Sequence, residues 1–329
     1  QVMEECEAIN GNSPITFFEI TTAIAFVLFS RYPGDLAILE TGLGGRLDAT
    51  NVIETPQVTA LTSISMDHKE YLGENICDIA REKAAIMRSG VSCVVSLQKQ
   101  EVKEVIKDVA VSLGSTCVYQ EEHWSYWKED QYFHLDNGHR KDRFRLPNLL
   151  GEHQIQNAAQ AITCLDTSRV YKFKTEEINE GLRKVEWSGR LQRLRHGPIF
   201  EFLPSEWEIW LDGGHNIGSA EVLMGQFSKW QDKPLFGIFG MLGQKEPEAI
   251  IHKIGGYFDF VCTVAIQKSS NTYSAIDLSG FFNQKGVPCK PVNSIKDGIK
   301  EIVKASNIPS RIIIMGSLRL VGVVLEEHG

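Results

Sequence analysis

Residues Glu40 to Asn51 read E-T-G-L-G-G-R-L-D-A-T-N, and the four residues before them, Leu36-Ala37-Ile38-Leu39, are an apolar run without alternation. Such a run has the pattern of a strand buried on both faces of a parallel sheet. In sheets of that kind, ligands gather beyond the carboxyl ends of the strands. Glu40 stands at such an end, and Gly42, Gly44 and Gly45 let the backbone turn sharply or lie close to a ligand. A glycine-rich turn after a strand is as readily structural as functional, so the rest of the chain has to decide.

The same grammar recurs. Residues 58–64 are apolar and threonine-rich and run out at Ser65-Met66-Asp67-His68, residues 208–211 end in Asp212-Gly213-Gly214-His215-Asn216, and residues 311–315 end in Gly316-Ser317. A scaffold needs only turn residues at its strand ends, yet here four ends each deliver Glu, Asp, His or Ser. Lys83 adds an independent signal. The spacing of Ile76, Ile79, Ala80 and Met87 predicts a helix over residues 75–88 with one apolar stripe, and Lys83 falls in the middle of it. An ammonium there must snorkel, pair with an acid such as Asp67, or be chemically modified. A carboxylate, a glycine-rich turn, an Asp-His pair and an inward lysine are the parts of a metal-phosphate site, and the chain is read as handling a nucleotide.

The chain resembles the folylpolyglutamate synthase and bifunctional dihydrofolate synthase family of the Mur ligase superfamily. The resemblance is carried by Pro14 to Glu19, Glu40 to Asn51, Ser63 to His68, Arg81 to Ile86, His153-Gln154 with Asn157-Ala158-Ala159, and Gly189-Arg190-Leu191-Gln192. It continues through Asp212 with His215-Asn216, Gly240-Met241-Leu242 and Gly316-Ser317-Leu318, in family order along almost the whole chain. It implies ATP-driven amide formation. A substrate carboxylate accepts the γ-phosphoryl group as an acyl phosphate, and the amine of glutamate then displaces phosphate. By position, Glu40 and His68 would bind Mg²⁺ and Lys83 would be the lysine that this superfamily carbamylates. Gln154 and Asn157 would meet the nucleotide, as would Arg190 and Asp212 from a second domain, while His215 and Ser317 would hold the incoming glutamate. Lys83, His68, Asp212 and His215 are the catalytic candidates. The implied cofactors are ATP and Mg²⁺, and the implied partners are a reduced folate and L-glutamate, with dihydropteroate left open as a second acceptor.

One departure bears on this reading. The family opens with a strand and a G-x-x-x-x-G-K-[ST] loop, and no Gly-Lys dipeptide occurs in the 329 residues. Expected therefore is an α/β chain with a P-loop-type, Mur ligase-like central domain over residues 1–186 that lacks its first strand and P-loop, followed by a Rossmann-like domain over residues 187–329. Two alternatives stay open, an inactive paralogue or fragment and a Mur-type peptide ligase.

Composition agrees with a soluble enzyme. The chain is 43% hydrophobic and carries a net charge of −8, which gives no electrostatic reason to expect nucleic acid. Seven cysteines with no C-x-x-C spacing point to reduced thiols, a cytoplasmic setting and no zinc site. No apolar run approaches the roughly 20 residues that span a bilayer. The chain is expected to work as a monomer on small molecules. Within the first domain, residues 119–146 read as a β-hairpin region turning at Asp136-Asn137-Gly138, with Trp124, Tyr126 and Trp127 as packing residues. Trp187-Ser188-Gly189 marks the hinge. Residues 200–202, 209–211, 235–239, 260–266 and 312–315 are the expected strands of the second domain.

Overall fold

The computed structural model describes residues 1–66, 69–243, 245–267, 269 and 271–328. Contacts divide the chain into two compact units. One comprises Gln1–Trp127, Leu135–Asp142 and Ala159–Phe173, and the other Lys128–His134, Arg143–Ala158 and Lys174–Gly329. The contact units interleave between residues 128 and 174, whereas the sequence reading expects a single division of roles at residue 186.

The first unit starts with two helices, α1 (Val2–Asn10) and α2 (Phe17–Arg31). A capping box opens α2: the Thr16 hydroxyl accepts from the Glu19 amide at 3.2 Å and the Glu19 carboxylate accepts from the Thr16 amide at 2.8 Å. Although α2 is mostly apolar, it buries none of its residues. The expected strand over residues 36–39 is corrected here. The segment forms no strand, and Leu36 and Ile38 are 55% and 87% exposed. An apolar run becomes a strand only where a neighbouring ladder accepts its backbone groups. None lies beside this one among the described residues.

The parallel sheet of this unit has the order β1 (Thr59–Leu61), β2 (Ser92–Val95), β3 (Thr116–Tyr119). The strand expected over residues 58–64 is thus three residues long, and its remainder becomes the loop that faces the site. Against one face of the sheet pack α4 (Ile76–Ala84), which follows the single turn α3 (Lys69–Leu72), and α5 (Gln100–Leu113). Gln160 secures the sheet from α6 (Glu152–Ser168). It donates to the carbonyls of Leu61 and Val94 at 2.9 and 3.0 Å and accepts from the Ser96 hydroxyl at 2.7 Å. The expected hairpin region is a three-stranded sheet in the order β4 (Ser125–Glu129), β5 (Tyr132–Asp136), β6 (Lys141–Arg145). Trp124 is buried, with its indole donating to the Val118 carbonyl.

The second unit also contains α7 (Thr175–Lys184) and a six-stranded sheet. Along the chain run β7 (Gln192–Leu194), β8 (Glu208–Asp212), α8 (Ile217–Phe227), β9 (Leu235–Phe239), α9 (Pro247–Ile254), β10 (Phe260–Thr263) and α10 (Ala275–Gln284). They are followed by β11 (Cys289–Pro291), α11 (Ile295–Ala305), β12 (Arg311–Met315) and α12 (Leu318–His328). The spatial order is β11-β10-β9-β12-β8-β7, parallel except for the edge strand β7. Both faces are covered, as continuous apolar strands require. Ile312 and Ile314 of β12 enter one core cluster and Ile313 and Met315 the other, following the alternation of a strand. The strand expected over residues 200–202 is instead a 3₁₀ turn, Pro198–Phe202. Pro198 has no amide proton to give a ladder and has the fixed φ of a first helical residue.

Candidate functional site

In the first unit the site is built by the loop that carries the E-T-G-L-G-G-R-L-D-A-T-N stretch. Asp48 organises it. One carboxylate oxygen accepts from the amides of Gly42 and Leu43 at 2.8 and 2.9 Å, and the other from the amide and hydroxyl of Thr50 at 2.9 and 2.7 Å. Burial pushes this carboxyl up, but the amides of Leu43, Thr50 and Gly42 and the Thr50 hydroxyl outweigh it and hold the group below the usual carboxylate range. The loop lies against the end of α4. The Arg46 amide donates to the Glu82 carbonyl at 3.0 Å, and the Arg46 side chain pairs with the Glu82 carboxylate at 2.9 Å. A side chain at Gly45 would sit 2.8 Å from the Glu82 carbonyl oxygen and 3.1 Å from that of Lys83, so only glycine allows the approach.

Lys83 emerges beside this contact. It is half-buried and helps line a cavity of about 200 Å³ together with Thr41, Gly44, Ser63, Ser65 and Ile86. Its helix is shorter than the expected residues 75–88: it runs from an Asn75 cap, whose side chain accepts from the Cys77 amide at 2.8 Å, to Ala84. Ile79, Ala80 and Ala84 are buried as the stripe requires, and Lys83, one turn after Ile79 on the same face, is half-buried. Glu40 is exposed at the end of the extended segment. Asp67 and His68 lie outside the described residues. Among the described residues no group of three or more His, Cys, Asp or Glu comes together as a metal cage. Mg²⁺ asks for less, one or two protein oxygens with waters and phosphate oxygens completing its shell. The hydroxyls of Thr41, Thr62, Ser63 and Ser65 around the cavity are oxygens that such a shell accepts, whereas the Lys83 ammonium suits the phosphate and cannot ligate the ion.

The second unit holds another cluster. Strands β8 and β12 are neighbours in register, Asp212 opposite Met315, so their carboxyl ends set Asp212-Gly213-Gly214-His215 beside Gly316-Ser317. Asp212 is buried and turned back on its own unit, accepting from the amides of Gly214 and Leu191 at 2.7 and 2.9 Å. Burial raises its carboxyl, against the pull of those two amides and of the Arg190 charge. His215 is half-buried, with Nδ1 3.1 Å from the Gly213 carbonyl oxygen. The buried Ser317 hydroxyl accepts from the Arg319 amide at 3.1 Å and so caps α12. Gly316, at φ 109°, passes so close to the Gly240 carbonyl that a side chain would come within 2.6 Å of it.

At the start of α6, Gln154 and Asn157 share one face, and the Asn157 amide donates to the Gln154 side chain at 3.2 Å. His153 stands beside them. Burial, with the Arg190 charge second, holds this imidazole below its ordinary value. Arg190 thus acts on both His153 and Asp212, and joins the start of α6 to the end of β8 within one electrostatic group. Asp48 and His153 are the residues that sequence reasoning passed over as actors. The signal for Asp48 was available, since an Asp two residues before a Thr is a local side-chain-to-backbone turn. Nothing local marks His153 as half-buried.

The Mur ligase middle domain family matches residues 8–165. A dihydrofolate synthase/folylpolyglutamate synthase of Bacillus subtilis is 35% identical over 74% of this chain and 59% of its own length. An Escherichia coli FolC structure in complex with DHPP and ADP superposes with a TM-score of 0.87 at 26% identity, over 99% of this chain and 74% of that one. A bifunctional folylpolyglutamate synthase/dihydrofolate synthase of Yersinia pestis, complexed with AMPPNP and a Mn ion, gives a TM-score of 0.85 at 27% identity over 99% and 74%. Fold and site therefore define an α/β ligase of the Mur type. The chain belongs to the folylpolyglutamate and dihydrofolate synthase family of that superfamily. It spans about three fifths of the Bacillus relative's length.

Proposed function

We propose that the protein adds L-glutamate to a reduced folate at the expense of ATP, through an acyl phosphate on the folate carboxylate. The observation that carries this is the cavity at Lys83, where a lysine, four hydroxyl side chains and a glycine-rich loop meet at the carboxyl end of a parallel sheet. Its support is the likeness to relatives whose structures hold ADP or AMPPNP. Residues 1–186 carry most of the nucleotide site, and residues 187–329 hold the glutamate and add Arg190 to the nucleotide. Glu40 and His68 would hold Mg²⁺, which when bound would offset the charge of the phosphate oxygens. A carbamylated Lys83 would supply the negative charge that orients the ion and phosphate there. Gln154, Asn157 and Arg190 face the nucleotide, Asp212 fixes the turn that leads to His215, and His215 and Ser317 position the amine that displaces phosphate.

The protein works on these small molecules as a monomer in the cytoplasm. Among the described residues no helix is long and apolar enough to cross a membrane.

The test is direct. The enzyme in its full encoded length, given ATP, Mg²⁺, tetrahydrofolate and L-glutamate, should yield a folate heavier by one glutamate and one ADP per bond formed. Lys83→Ala should lower kcat by about 100-fold, the scale of one charge removed from a phosphoryl-transfer site, with the thermal transition kept. A Lys83→Ala enzyme turning over at the wild-type rate would defeat the assignment.

A further inference from the structure

Beyond the end of α4, Arg88 uses every donor its side chain has. Nε donates to the Ile53 carbonyl at 3.1 Å, Nη1 to the carbonyls of Ala85 and Met87 at 3.1 Å each, and Nη2 to the Asn51 carbonyl at 2.9 Å and the Asn51 side-chain oxygen at 2.6 Å. A guanidinium carries five N–H donors in a fixed fork, and all are spent between two pieces of backbone. One is the exit of the loop that contains Gly44, Gly45 and Asp48. The other is the tight turn in which the amides of Ile86 and Met87 close back on the carbonyls of Lys83 and Ala84. The Asn51 side chain reaches the Ala85 carbonyl as well, at 3.4 Å.

The loop and the helix end are therefore fastened at two places, by the Arg46 contacts with Glu82 on one side of Lys83 and by Arg88 on the other. Asp48 shapes the loop internally but makes none of these contacts with the helix. We propose that Arg88 is a positioning residue for Lys83: by clamping Asn51 and Ile53 to the carbonyls of Ala85 and Met87 in the turn that closes α4, it fixes the direction in which Lys83 leaves the helix into the cavity lined by Thr41, Gly44, Ser63 and Ser65. The inference rests on the reading of Lys83 given above for its catalytic consequence, but not for its geometry. A lysine cannot replace this arginine, because an ammonium has three donors and no planar fork to span two strands of backbone.

The experiment reads Lys83 itself. The full-length protein is treated with formaldehyde and cyanoborohydride, and methylation of Lys83 is followed by peptide mass spectrometry against Lys103 and Lys107 on α5. Wild type, Arg88→Gln, Arg88→Lys and Asn51→Ala are compared. Arg88→Gln should change the Lys83 rate by about threefold or more while the reference lysines hold, the signature of coupling between neighbours and not of general loosening. Arg88→Lys should fail to restore the wild-type rate. Asn51→Ala, which removes one acceptor, should move Lys83 in the same direction by less, and it serves if Arg88→Gln does not fold. In turnover, Arg88→Gln should lower kcat with KM for glutamate unchanged, since glutamate is held elsewhere. A Lys83 rate equal to wild type in the folded variants would overturn the proposal. A shifted Lys83 rate in a protein that forms no glutamylated folate would leave the clamp standing and remove the functional reading instead.

Discussion

At Asp48 a single carboxylate fixes a whole loop. Its oxygens accept from three amides and a hydroxyl, and the group is held below its ordinary value of 3.8. A folded-state value below the unfolded one contributes stability that is present above the unfolded value and lost as pH falls through the folded one. Asp48→Ala should therefore destabilise the first unit at neutral pH by about 2 kcal/mol, the range for losing hydrogen bonds to a partly exposed charged group. The deficit relative to wild type should shrink as pH drops below about 4. Urea unfolding of both proteins across that range measures it, and a pH-independent difference would show that the charge plays no part. His153 runs the other way in charge but with the same slope. Its imidazole is held below the ordinary 6.5 by burial and by Arg190, so the unfolded chain takes up the proton first. Stability is full above about pH 6.5 and falls as pH decreases below it. His153→Gln should flatten the stability profile in that window. A slope as steep as that of wild type would place the titrating group elsewhere.

At the scale of elements, the sequence is most legible where an element meets its partners inside the chain. Strands β8, β9 and β12 fall where continuous apolar runs place them, because each has a strand on both sides and helices on both faces. Residues 36–39 carry the same pattern and make no strand, since hydrophobicity states that a segment wants burial but not that a ladder is waiting. Residues 198–202 show a second limit, where one proline outweighs the apolar residues that follow it. Helix α4 was readable from its stripe, but its end was not, because the tight turn after Ala84 depends on the acceptors that the distant Asn51 and Ile53 offer to Arg88. Its start was written plainly in Asn75, and Asn75→Ala should cost about 1 kcal/mol, the usual loss of a side-chain cap. Thermal unfolding followed by circular dichroism would show it as a lowered transition. An unchanged transition would mean that packing alone holds the first turn.

For the whole molecule, the placement of chemistry at strand ends is what made the site candidates legible. Glu40, the Ser63 to His68 stretch of sequence, Asp212 with His215, and Ser317 each stand where an apolar run delivers them, and three of those four runs contain strands of the described chain. Asp48 was legible from its own local turn with Thr50, whereas the contributions of Arg88 and His153 were not, because each depends on segments that sequence spacing does not relate. The account makes one central claim about all of these parts, that they serve an acyl phosphate. The direct measurement is isotope transfer: tetrahydrofolate labelled with ¹⁸O in its terminal carboxylate is turned over by the full-length enzyme with ATP, Mg²⁺ and glutamate, and the released phosphate is analysed by mass spectrometry. The account predicts one ¹⁸O in the phosphate for each glutamate added to fully labelled carboxylate, because the carboxylate oxygen that attacks the γ-phosphorus leaves with it. Glutamylation that proceeds with no label in the phosphate would contradict it.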